Sequence, residues 1–335
     1  MSLLQLEGLA QHFNVGGGLF SKPAKLRAVD GVTVSIQKGE TLGLVGESGC
    51  GKSTLARSII RLYEPTGGRV IFDGTDITHL SEAELRPFRR RIQMIFQDPL
   101  ASLDGRMSVR ELITEPLDIL KIGTPRQRRE RANELLETVG LSAAHAGRYP
   151  HEFSGGQRQR IGIARAIALD PDLVICDEPI SALDVSIQAQ VVNMLEDLQA
   201  KLGLTYLFIT HDLSMVRHIA DRIGVMYLGK LVELAPAAEL YTRPRHPYTR
   251  LLLSAIPVPD PAVRKDAPPA TDEVPSPLDL PSGCRFRTRC PLASEICAKI
   301  EPEPRDFGGG HLAACHHADE SAPTTPITNP ERENA

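Results

Sequence analysis

The stretch GESGCGKST at positions 46–54 constrains the fold of this 335-residue chain more than any other feature. It fits the pattern G-x-x-x-x-G-K-[ST], which is typical of a loop that wraps its backbone around phosphate groups. The short apolar run TLGLV (41–45) precedes it, and the helical pattern LARSIIRL (55–62) follows it. A phosphate-binding loop of this kind joins a buried strand to a helix, so the context supports the match. The sequence therefore predicts a nucleotide site in an α/β domain.

The residue types in this loop have chemical reasons. Glycines allow positive φ angles and a close approach of the backbone to phosphate. Exposed N–H groups and the N-terminus of the following helix then attract the anion. We expect Lys52 to reach the β- and γ-phosphates of ATP, and the Ser53 hydroxyl to ligate Mg²⁺. The alternative is a glycine-rich turn without a ligand. The residues expected to bind the nucleotide are Gly46, Glu47, Ser48, Gly49, Cys50, Gly51, Lys52, Ser53 and Thr54.

The rest of the chain supports an α/β fold. Helical patterns separate the apolar runs, and this alternation favours a largely parallel sheet. The segment from about 99 to 155 has helical patterns but few candidate strands, so we expect a helical insertion there. The predicted strands are 32–36, 41–45, 92–96, 173–176, 206–210 and 223–228, and the predicted helices are 55–62, 126–139, 157–169 and 186–202.

A carboxylate pair follows one predicted strand, in LVICDEP (173–179). A phosphate-binding loop needs a carboxylate for the metal at the end of another strand, and Asp177 lies in that place. Asp177 is expected to hold the Mg²⁺ shell, and Glu178 to polarise the attacking water. An acidic pair after a strand can also be a helix-capping loop, which is the alternative interpretation.

Several further motifs resemble those of the ATP-binding cassette (ABC) ATPases. FSGGQRQR (153–160) resembles the signature sequence of that family, with Phe153 where Leu is commonest. Gln97 in FQDP matches the Q-loop, SALD (181–184) the D-loop, and His211 in ITHD the switch histidine. Phe13 lies where the family has an aromatic residue that stacks on adenine. The alternatives are a core role for Phe13 and a turn role for His211.

The resemblance implies an architecture and a mechanism. It implies a RecA-like core at 1–98 and 156–242, a helical signature subdomain at 99–155, and a C-terminal extension at 243–335. Two cassettes would face each other head to tail, with the signature of one closing on the γ-phosphate bound by the other. It implies that Gln97 contacts Mg²⁺ and the attacking water, and that His211 contacts the γ-phosphate. The resemblance adds Ser154, Gly155, Gly156, Gln157 and Asp184 to the nucleotide-binding residues.

The C-terminal part narrows the resemblance. Three features of this part resemble the peptide and nickel importer ATPases: RPRHPYTRLLLSAIP (243–257), a connector with eight prolines from Pro257 to Pro281, and a cysteine-bearing tail. Among these ATPases the resemblance is greatest to the dipeptide-permease F-type, with the oligopeptide type close behind. The resemblance implies a D-type ATPase as heterodimer partner, two integral-membrane permease subunits, an extracytoplasmic substrate-binding protein, and a peripheral location on the cytoplasmic face of the inner membrane. Dipeptides, oligopeptides, glutathione and nickel remain open as substrates.

Charge and hydropathy bear on the alternatives. The formal net charge of −4 gives no electrostatic footprint for nucleic acid. The basic clusters at 86–91 and 126–132 are interpreted as solvated helical faces. The N-terminus lacks the features of a signal peptide, and no apolar run approaches the roughly 18 residues that span a bilayer. We therefore expect a cytosolic chain that reaches a membrane through partners. The competing hypothesis is a soluble ABC-type regulator with a metal centre.

Four of the six cysteines lie in the tail, with the spacing C-x5-C-x6-C-x17-C. Four thiolates permit tetrahedral zinc or an iron–sulfur cluster, and ligand type alone does not separate the two. Four unpaired thiols are the third alternative. The resemblance to the peptide importers favours a [4Fe–4S] cluster, with a structural role rather than a redox sensor. The expected ligands are Cys284, Cys290, Cys297 and Cys315.

Three further expectations concern single residues and the chain end. His311, His316 and His317 are expected to be solvated, since four sulfurs already complete a site. The thiolate of Cys50 is expected to be favoured by the helix N-terminus and therefore reactive, the alternative being that only its backbone N–H matters. The polar, proline-bearing residues 318–335 are expected to be disordered.

Overall fold

The computed structural model describes residues 2–16, 24–181, 183–256 and 274–320. Within these ranges the chain forms two sheets and a set of helices that cover them. The strands are β1 Ser2–Val15, β2 Ala24–Gln37, β3 Thr41–Val45, β4 Gly67–Phe72, β5 Thr75–Asp76, β6 Ile92–Ile95, β7 Leu173–Asp177, β8 Thr205–Thr210, β9 Arg222–Tyr227, β10 Lys230–Pro236, β11 Arg305–Asp306 and β12 Leu312–Ala313. The α-helices are α1 Lys52–Ile59, α2 Glu82–Arg91, α3 Pro99–Ser102, α4 Val109–Leu120, α5 Pro125–Thr138, α6 Gly155–Ala166, α7 Val185–Leu202, α8 Leu213–Ile219, α9 Ala237–Thr242, α10 Pro247–Ser254 and α11 Glu295–Lys299.

The larger sheet has eight strands in the order β11-β12-β10-β9-β3-β8-β7-β6. The run from β9 to β6 is parallel, which confirms the predicted parallel sheet, and β10, β12 and β11 extend it as antiparallel strands. Every residue of β3, β7 and β8 is buried, which explains why these strands appear in the sequence as continuous apolar runs.

The register of the parallel strands brings their carboxyl ends to one edge of the sheet. Val45 at the end of β3 pairs with Thr210 at the end of β8, and Ile209 of β8 pairs with Asp177 of β7. The loops that follow these strands carry most of the predicted nucleotide-site residues. Such edges are where open α/β sheets bind ligands.

The second sheet is antiparallel, in the order β2-β1-β4-β5, and the sequence did not predict it as a separate layer. The predicted strand at 32–36 lies inside the 14-residue β2. β1 escaped prediction because β-bulges interrupt its alternation, one of them between Leu6 and Leu9, where Gly8 has φ +58°. Apolar side chains of β1, β2 and β4 pack against one face of the larger sheet and against α1.

The region 99–155 is helical, as predicted. It holds α3, α4, α5 and two short 3₁₀ turns, and α4 packs against α5 and α6. Ser108 and Thr124 cap α4 and α5 by accepting backbone N–H hydrogen bonds in capping boxes with Glu111 and Gln127. The buried side chains of this region join the core on the other face of the larger sheet.

The basic clusters of α2 and α5 lie mostly at the surface and are paired with carboxylates. Arg91 contacts Asp73 and Asp172, and Arg128 contacts Asp118. Within the described ranges, no helix is both long enough and apolar enough to span a bilayer. Most of the predicted connector (257–273) and most of the predicted disordered tail (321–335) lie outside the described residues.

The C-terminal residues return to the larger sheet and add β12 beside β10. At this junction the buried Glu233 carboxylate accepts hydrogen bonds from the backbone N–H groups of Arg245 (2.7 Å) and His246 (2.9 Å) and from the Thr249 hydroxyl. His311 lies 2.7 Å from Glu233 and is buried, so the prediction that His311 is solvated is wrong. A buried carboxylate needs such partners because its desolvation is costly.

Candidate nucleotide site

The loop between β3 and α1 has the backbone shape that its glycines predict. Gly51 has φ +107°, and a Cβ atom there would lie 2.0 Å from the carbonyl oxygen of Ala28. At Gly46 a Cβ would lie 2.2 Å from the carbonyl oxygen of Met226. Neither position has room for a side chain, so the loop packs directly on the backbones of β2 and β9.

Lys52 begins α1, and its ammonium group is held over the loop. The Nζ atom donates to the carbonyl oxygens of Gly46 (2.6 Å) and Glu47 (3.1 Å). The side chain is buried, and these two acceptors hold the ammonium group beside the loop. A cleft of about 250 Å³ opens beside the loop; its lining includes Leu26, Arg27, Ala28, Ser48 to Thr54, Gln97, Glu178, Leu228, Gly229 and Pro277.

Ser53 and Asp177 meet across the ends of β3 and β7. The Ser53 hydroxyl donates to the Asp177 carboxylate over 2.8 Å. Burial raises the pKa of Asp177, while the hydrogen bond from Ser53 lowers it. A hydroxyl and a carboxylate side by side at a phosphate-binding loop are the oxygen ligands that Mg²⁺ prefers, so these two residues fit a magnesium site.

Glu178 lies at the centre of the other predicted catalytic residues. Its Oε2 atom accepts a hydrogen bond from Gln97 Nε2 (2.9 Å) and lies 3.5 Å from His211 Nδ1. Glu178 has φ +48°, which is uncommon for a residue other than glycine, and its N–H donates to the carbonyl oxygen of Ile209. Strained backbone of this kind is found where a side chain is held in a defined direction.

The signature residues form the start of α6. Ser154 caps this helix in a capping box with Gln157, and its hydroxyl accepts from the Gln157 N–H. A Cβ at Gly156 would lie 2.6 Å from the side chain of Ile187. Asp184 occupies the N-cap position of α7 without a side-chain capping hydrogen bond, and the next residue, Val185, is 80% exposed. None of these residues is in the lining of the cleft at the phosphate-binding loop, so in one chain the two sets of predicted residues stay apart.

Phe13 lies in β1 opposite Leu26, which lines the cleft. Its ring packs edge to face on Tyr63, with 5.4 Å between the ring centroids. The ring is partly buried, and its proposed role in adenine stacking stays a prediction.

Cys50 does not have the environment that was predicted for it. Its side chain is buried, and burial raises the pKa of the thiol although the nearby Lys52 lowers it. The expected thiolate is therefore wrong, because desolvation outweighs the helix N-terminus and the lysine. The structural use of Cys50 is its backbone, whose carbonyl oxygen accepts from the Gly229 N–H (2.8 Å).

The four tail cysteines are free thiols that lie close enough for their charges to interact. Burial and, to a smaller extent, the neighbouring cysteines raise the pKa of Cys284 to about 11 and that of Cys315 to about 12, while backbone N–H groups lower both. The His317 N–H points at Cys315 Sγ (3.4 Å), and the N–H groups of Phe286 and Leu292 donate to Cys284 and Cys290. In the described part of the chain, no group of three or more His, Cys, Asp and Glu side chains is arranged to hold a metal ion.

Sequence reasoning missed the C-terminal contribution to the site. Pro277 is part of the cleft lining, and the hydroxyl of Tyr248 accepts from the Glu47 N–H over 2.8 Å. Arg289 contacts the carboxylate of Glu47. Tyr248 lies within the stretch 243–257 on which the resemblance to the peptide importers rests, but that resemblance gives it no role in the site. No local pattern marks Pro277 or Arg289.

The comparisons with known proteins agree with this geometry. Residues 29–181 match the family model "ABC transporter", and residues 232–297 match "Oligopeptide/dipeptide transporter, C-terminal region". The chain is 55% identical to the oligopeptide transport ATP-binding protein AppF of Bacillus subtilis (strain 168), over 94% of this chain and 97% of that protein. It is 54% identical to a putative peptide import ATP-binding protein of Brucella ovis, over 93% and 97% of the two chains.

A solved structure shares the fold. The ATP-binding cassette MJ0796, whose structure is described as a dimer in a post-hydrolysis state bound to ADP and Pi, superimposes with a TM-score of 0.63 at 30% identity. The match covers 70% of this chain and 98% of the neighbour. Together the phosphate-binding loop, the carboxylates beside it and the two family matches show that this chain belongs to the ATP-binding cassette transporter ATPases, with the C-terminal region of the oligopeptide and dipeptide transporters.

Proposed function

We propose that this chain is the ATP-hydrolysing subunit of a membrane importer for dipeptides or oligopeptides. The observation that carries the proposal is the combination of one nucleotide cleft with a C-terminal segment, matched over 232–297, that packs against that cleft. The relatives are described as oligopeptide and peptide import ATP-binding proteins. Nickel and glutathione remain the alternative substrates, because the pore and the substrate pocket of an importer lie in other chains.

The chemistry follows from the contacts of Glu178. Its carboxylate polarises the water that attacks the γ-phosphate, and Gln97 and His211 hold that carboxylate from two sides. Lys52 neutralises the β- and γ-phosphates. Bound Mg²⁺ supplies further charge neutralisation, and Ser53 and Asp177 are the residues that would hold it, with Gln97 at the edge of that site.

The site is completed by a second cassette. Ser154, Gly155 and Gly156 present a helix N-terminus that can bind an anion, yet they are not in the cleft lining of their own chain. A head-to-tail pair would place this helix end against the γ-phosphate bound by the partner. The exposed Val185 beside Asp184 would then be covered. The partner proposed here is a D-type ATPase, which would form a heterodimer.

The remaining partners are two integral-membrane permease subunits and an extracytoplasmic substrate-binding protein, so the chain would be peripheral on the cytoplasmic face of the inner membrane. An open groove of about 280 Å³ between α2, β6 and the helical region is the surface proposed for a cytoplasmic segment of a permease. Leu62 and Phe96, which line it, are exposed. Since Phe96 directly precedes Gln97, a permease segment bound in this groove would contact the residue next to Gln97, which donates a hydrogen bond to Glu178.

We further propose a [4Fe–4S] cluster on Cys284, Cys290, Cys297 and Cys315. Four sulfur donors are the ligand set of such a cluster, and backbone N–H groups directed at cysteine sulfur stabilise bound thiolates. The sulfurs interact through their charges but do not enclose a single ion.

The test of the transport function is affinity purification of the chain from membranes solubilised in a mild detergent. We expect two permease subunits, a second cassette and a substrate-binding protein to co-purify, and expect ATPase activity to rise when dipeptide or oligopeptide is supplied with the binding protein. If nickel or glutathione stimulated the ATPase activity instead, the substrate would be reassigned accordingly. A monodisperse chain without membrane partners would favour the soluble regulator.

A further inference from the structure

Glu47, the second residue of the phosphate-binding loop, has all of its polar groups engaged. Its carbonyl oxygen accepts from Lys52 Nζ (3.1 Å), and its N–H donates to the hydroxyl of Tyr248 (2.8 Å). Its carboxylate accepts two hydrogen bonds from Arg289, with 2.8 Å to Oε2 and 2.9 Å to Oε1. Two of these three partners, Tyr248 and Arg289, belong to the C-terminal extension.

Arg289 is fixed in this position. It lies in the segment between Cys284 and Cys290, and its side chain is 6% exposed. The guanidinium group also lies 5.9 Å from the ring centroids of Tyr227 and Phe286. A bidentate arginine–carboxylate pair of this kind is strong and directional.

A second arginine of the same segment reaches the other wall of the cleft. Arg285 contacts the carboxylate of Asp30 in β2 and the carbonyl oxygen of Leu228, and Leu228 lines the cleft. The N–H of the adjacent Gly229 donates to the carbonyl oxygen of Cys50. The segment that bears the cysteines is thus connected to both sides of the phosphate-binding loop.

We propose that Arg289 is a positioning residue for ATP binding, through which the cysteine-rich segment keeps the phosphate-binding loop in the conformation that binds ATP. The carboxylate of Glu47 is adjacent to Ser48, which lines the cleft, and would repel the phosphates of ATP if it were not neutralised. Arg289 neutralises it and at the same time fixes the loop through two bonds. The inference rests on the ATP site of this cassette and not on the identity of the transported substrate.

The proposal predicts an effect on binding rather than on the chemical step. Arg289 contacts none of Glu178, Gln97 or His211 in the described structure, so kcat should change little. In Arg289→Gln the KM for MgATP should rise about tenfold, because a charge-assisted pair is lost and an unpaired carboxylate is left beside the phosphates. Arg289→Lys keeps the charge but cannot form both hydrogen bonds of the guanidinium group. Its KM for MgATP should lie between those of Arg289→Gln and the wild type.

A second substitution separates this role from general destabilisation. Adding Glu47→Gln to Arg289→Gln removes the repelling carboxylate, so the double variant should recover part of the lost affinity. The matched control is Arg287→Gln, in the same segment, since the side-chain hydrogen bonds of Arg287 go to Ser282 and not to Glu47. The control should bind MgATP like the wild type.

The experiment measures KM and kcat for MgATP in the assembled transporter, together with MgATP binding and hydrogen exchange of the 284–297 segment in the purified full-length chain, for the wild type and these variants. Binding effects are reciprocal, so MgATP should slow exchange in that segment in the wild type and much less in Arg289→Gln. The proposal is overturned if Arg289→Gln has a KM within twofold of wild type, or if MgATP leaves the exchange of the segment unchanged. It is also overturned if the double variant binds MgATP no more tightly than Arg289→Gln, since the loss of affinity would then come from the fold of the segment alone.

Discussion

Gln97 Nε2 donates a hydrogen bond of 2.9 Å to Glu178 Oε2, and this contact joins the ends of two parallel strands. Gln97 follows β6 and leads into the helical region, whereas Glu178 follows β7 beside the cleft. Any movement of the helical region relative to the sheet therefore acts on a carboxylate that lines the cleft. The contact links the groove proposed for the permease to the residue proposed to activate water.

The first prediction concerns Glu178→Gln. The amide keeps the size of the side chain but no longer polarises water, so turnover should fall at least about 100-fold. Affinity for MgATP should remain within a few-fold, because Lys52, Ser53 and Asp177 are unchanged, and the cassettes should stay associated in ATP. ATPase assays and size-exclusion chromatography measure these effects, with the exposed Glu130→Gln as control. Hydrolysis within a few-fold of wild type in the assembled transporter would show that Glu178 has another role.

The second prediction concerns Cys50. Because its side chain is buried and its pKa is raised by burial, an alkylating reagent at neutral pH should modify Cys50 slowly in the folded chain. Cys50→Ala should bind MgATP within about threefold of wild type, since the loop uses the backbone of this residue. Mass spectrometry of the alkylated chain gives the rate. Rapid inhibition that MgATP prevents, and that disappears in Cys50→Ala, would restore a reactive thiolate.

The third prediction concerns the tail cysteines. Chain purified without oxygen should be brown and contain roughly four irons and four sulfides per molecule. Cys290→Ser and Cys315→Ser should lose the colour and increase proteolysis of the tail, while Cys176→Ser, a change at a buried cysteine outside the tail, should keep it. Iron and sulfide analysis with absorption spectra are the measurements. Stoichiometric zinc without iron would refute the cluster, and four titratable thiols would refute any metal site.

The fourth prediction concerns His246, whose side chain is fully buried next to Glu233. Burial lowers the pKa of its imidazole from 6.5 to about 4, while the Glu233 charge raises it. Between these two values the unfolded chain binds a proton that the folded chain excludes, so the free energy of unfolding should fall as the pH drops from 6.5 to 4. The contribution of this residue is about 3 kcal/mol.

The test of the His246 prediction is urea unfolding across this pH range. In the wild type the Tyr248 N–H donates to His246 Nδ1 over 3.1 Å, and the asparagine of His246→Asn retains an acceptor for it. The free energy of unfolding of this variant should lose the part of its pH dependence that is due to the imidazole. His79→Asn is the matched control, since His79 is exposed. Equal pH dependence in wild type and His246→Asn would show that other groups cause the acid loss of stability.

Much of the site could be inferred from short stretches of the sequence. The glycines, Lys52 and Ser53 lie in one stretch (46–54). Asp177 ends β7, Glu178 and His211 directly follow β7 and β8, and Gln97 lies just after β6. Parallel strands bring their carboxyl ends to the same edge, so the strand pattern predicted that Asp177 and Glu178 lie beside the phosphate-binding loop, whereas Gln97 and His211 were predicted from the resemblance to the ABC ATPases. Local patterns also predicted the helical region, since its helices carry their own caps and apolar periodicity.

Only the tertiary structure decided the rest, because those features depend on residues far apart in the chain. Burial, which no local pattern reports, reversed the predictions for Cys50 and His311. Glu47 and Arg289 are 242 positions apart, and no local sequence pattern predicts that a glutamate of the loop and an arginine of the tail form an ion pair. Local sequence carries propensity and periodicity, whereas which charges are desolvated and which partners neutralise them is set by how the elements pack.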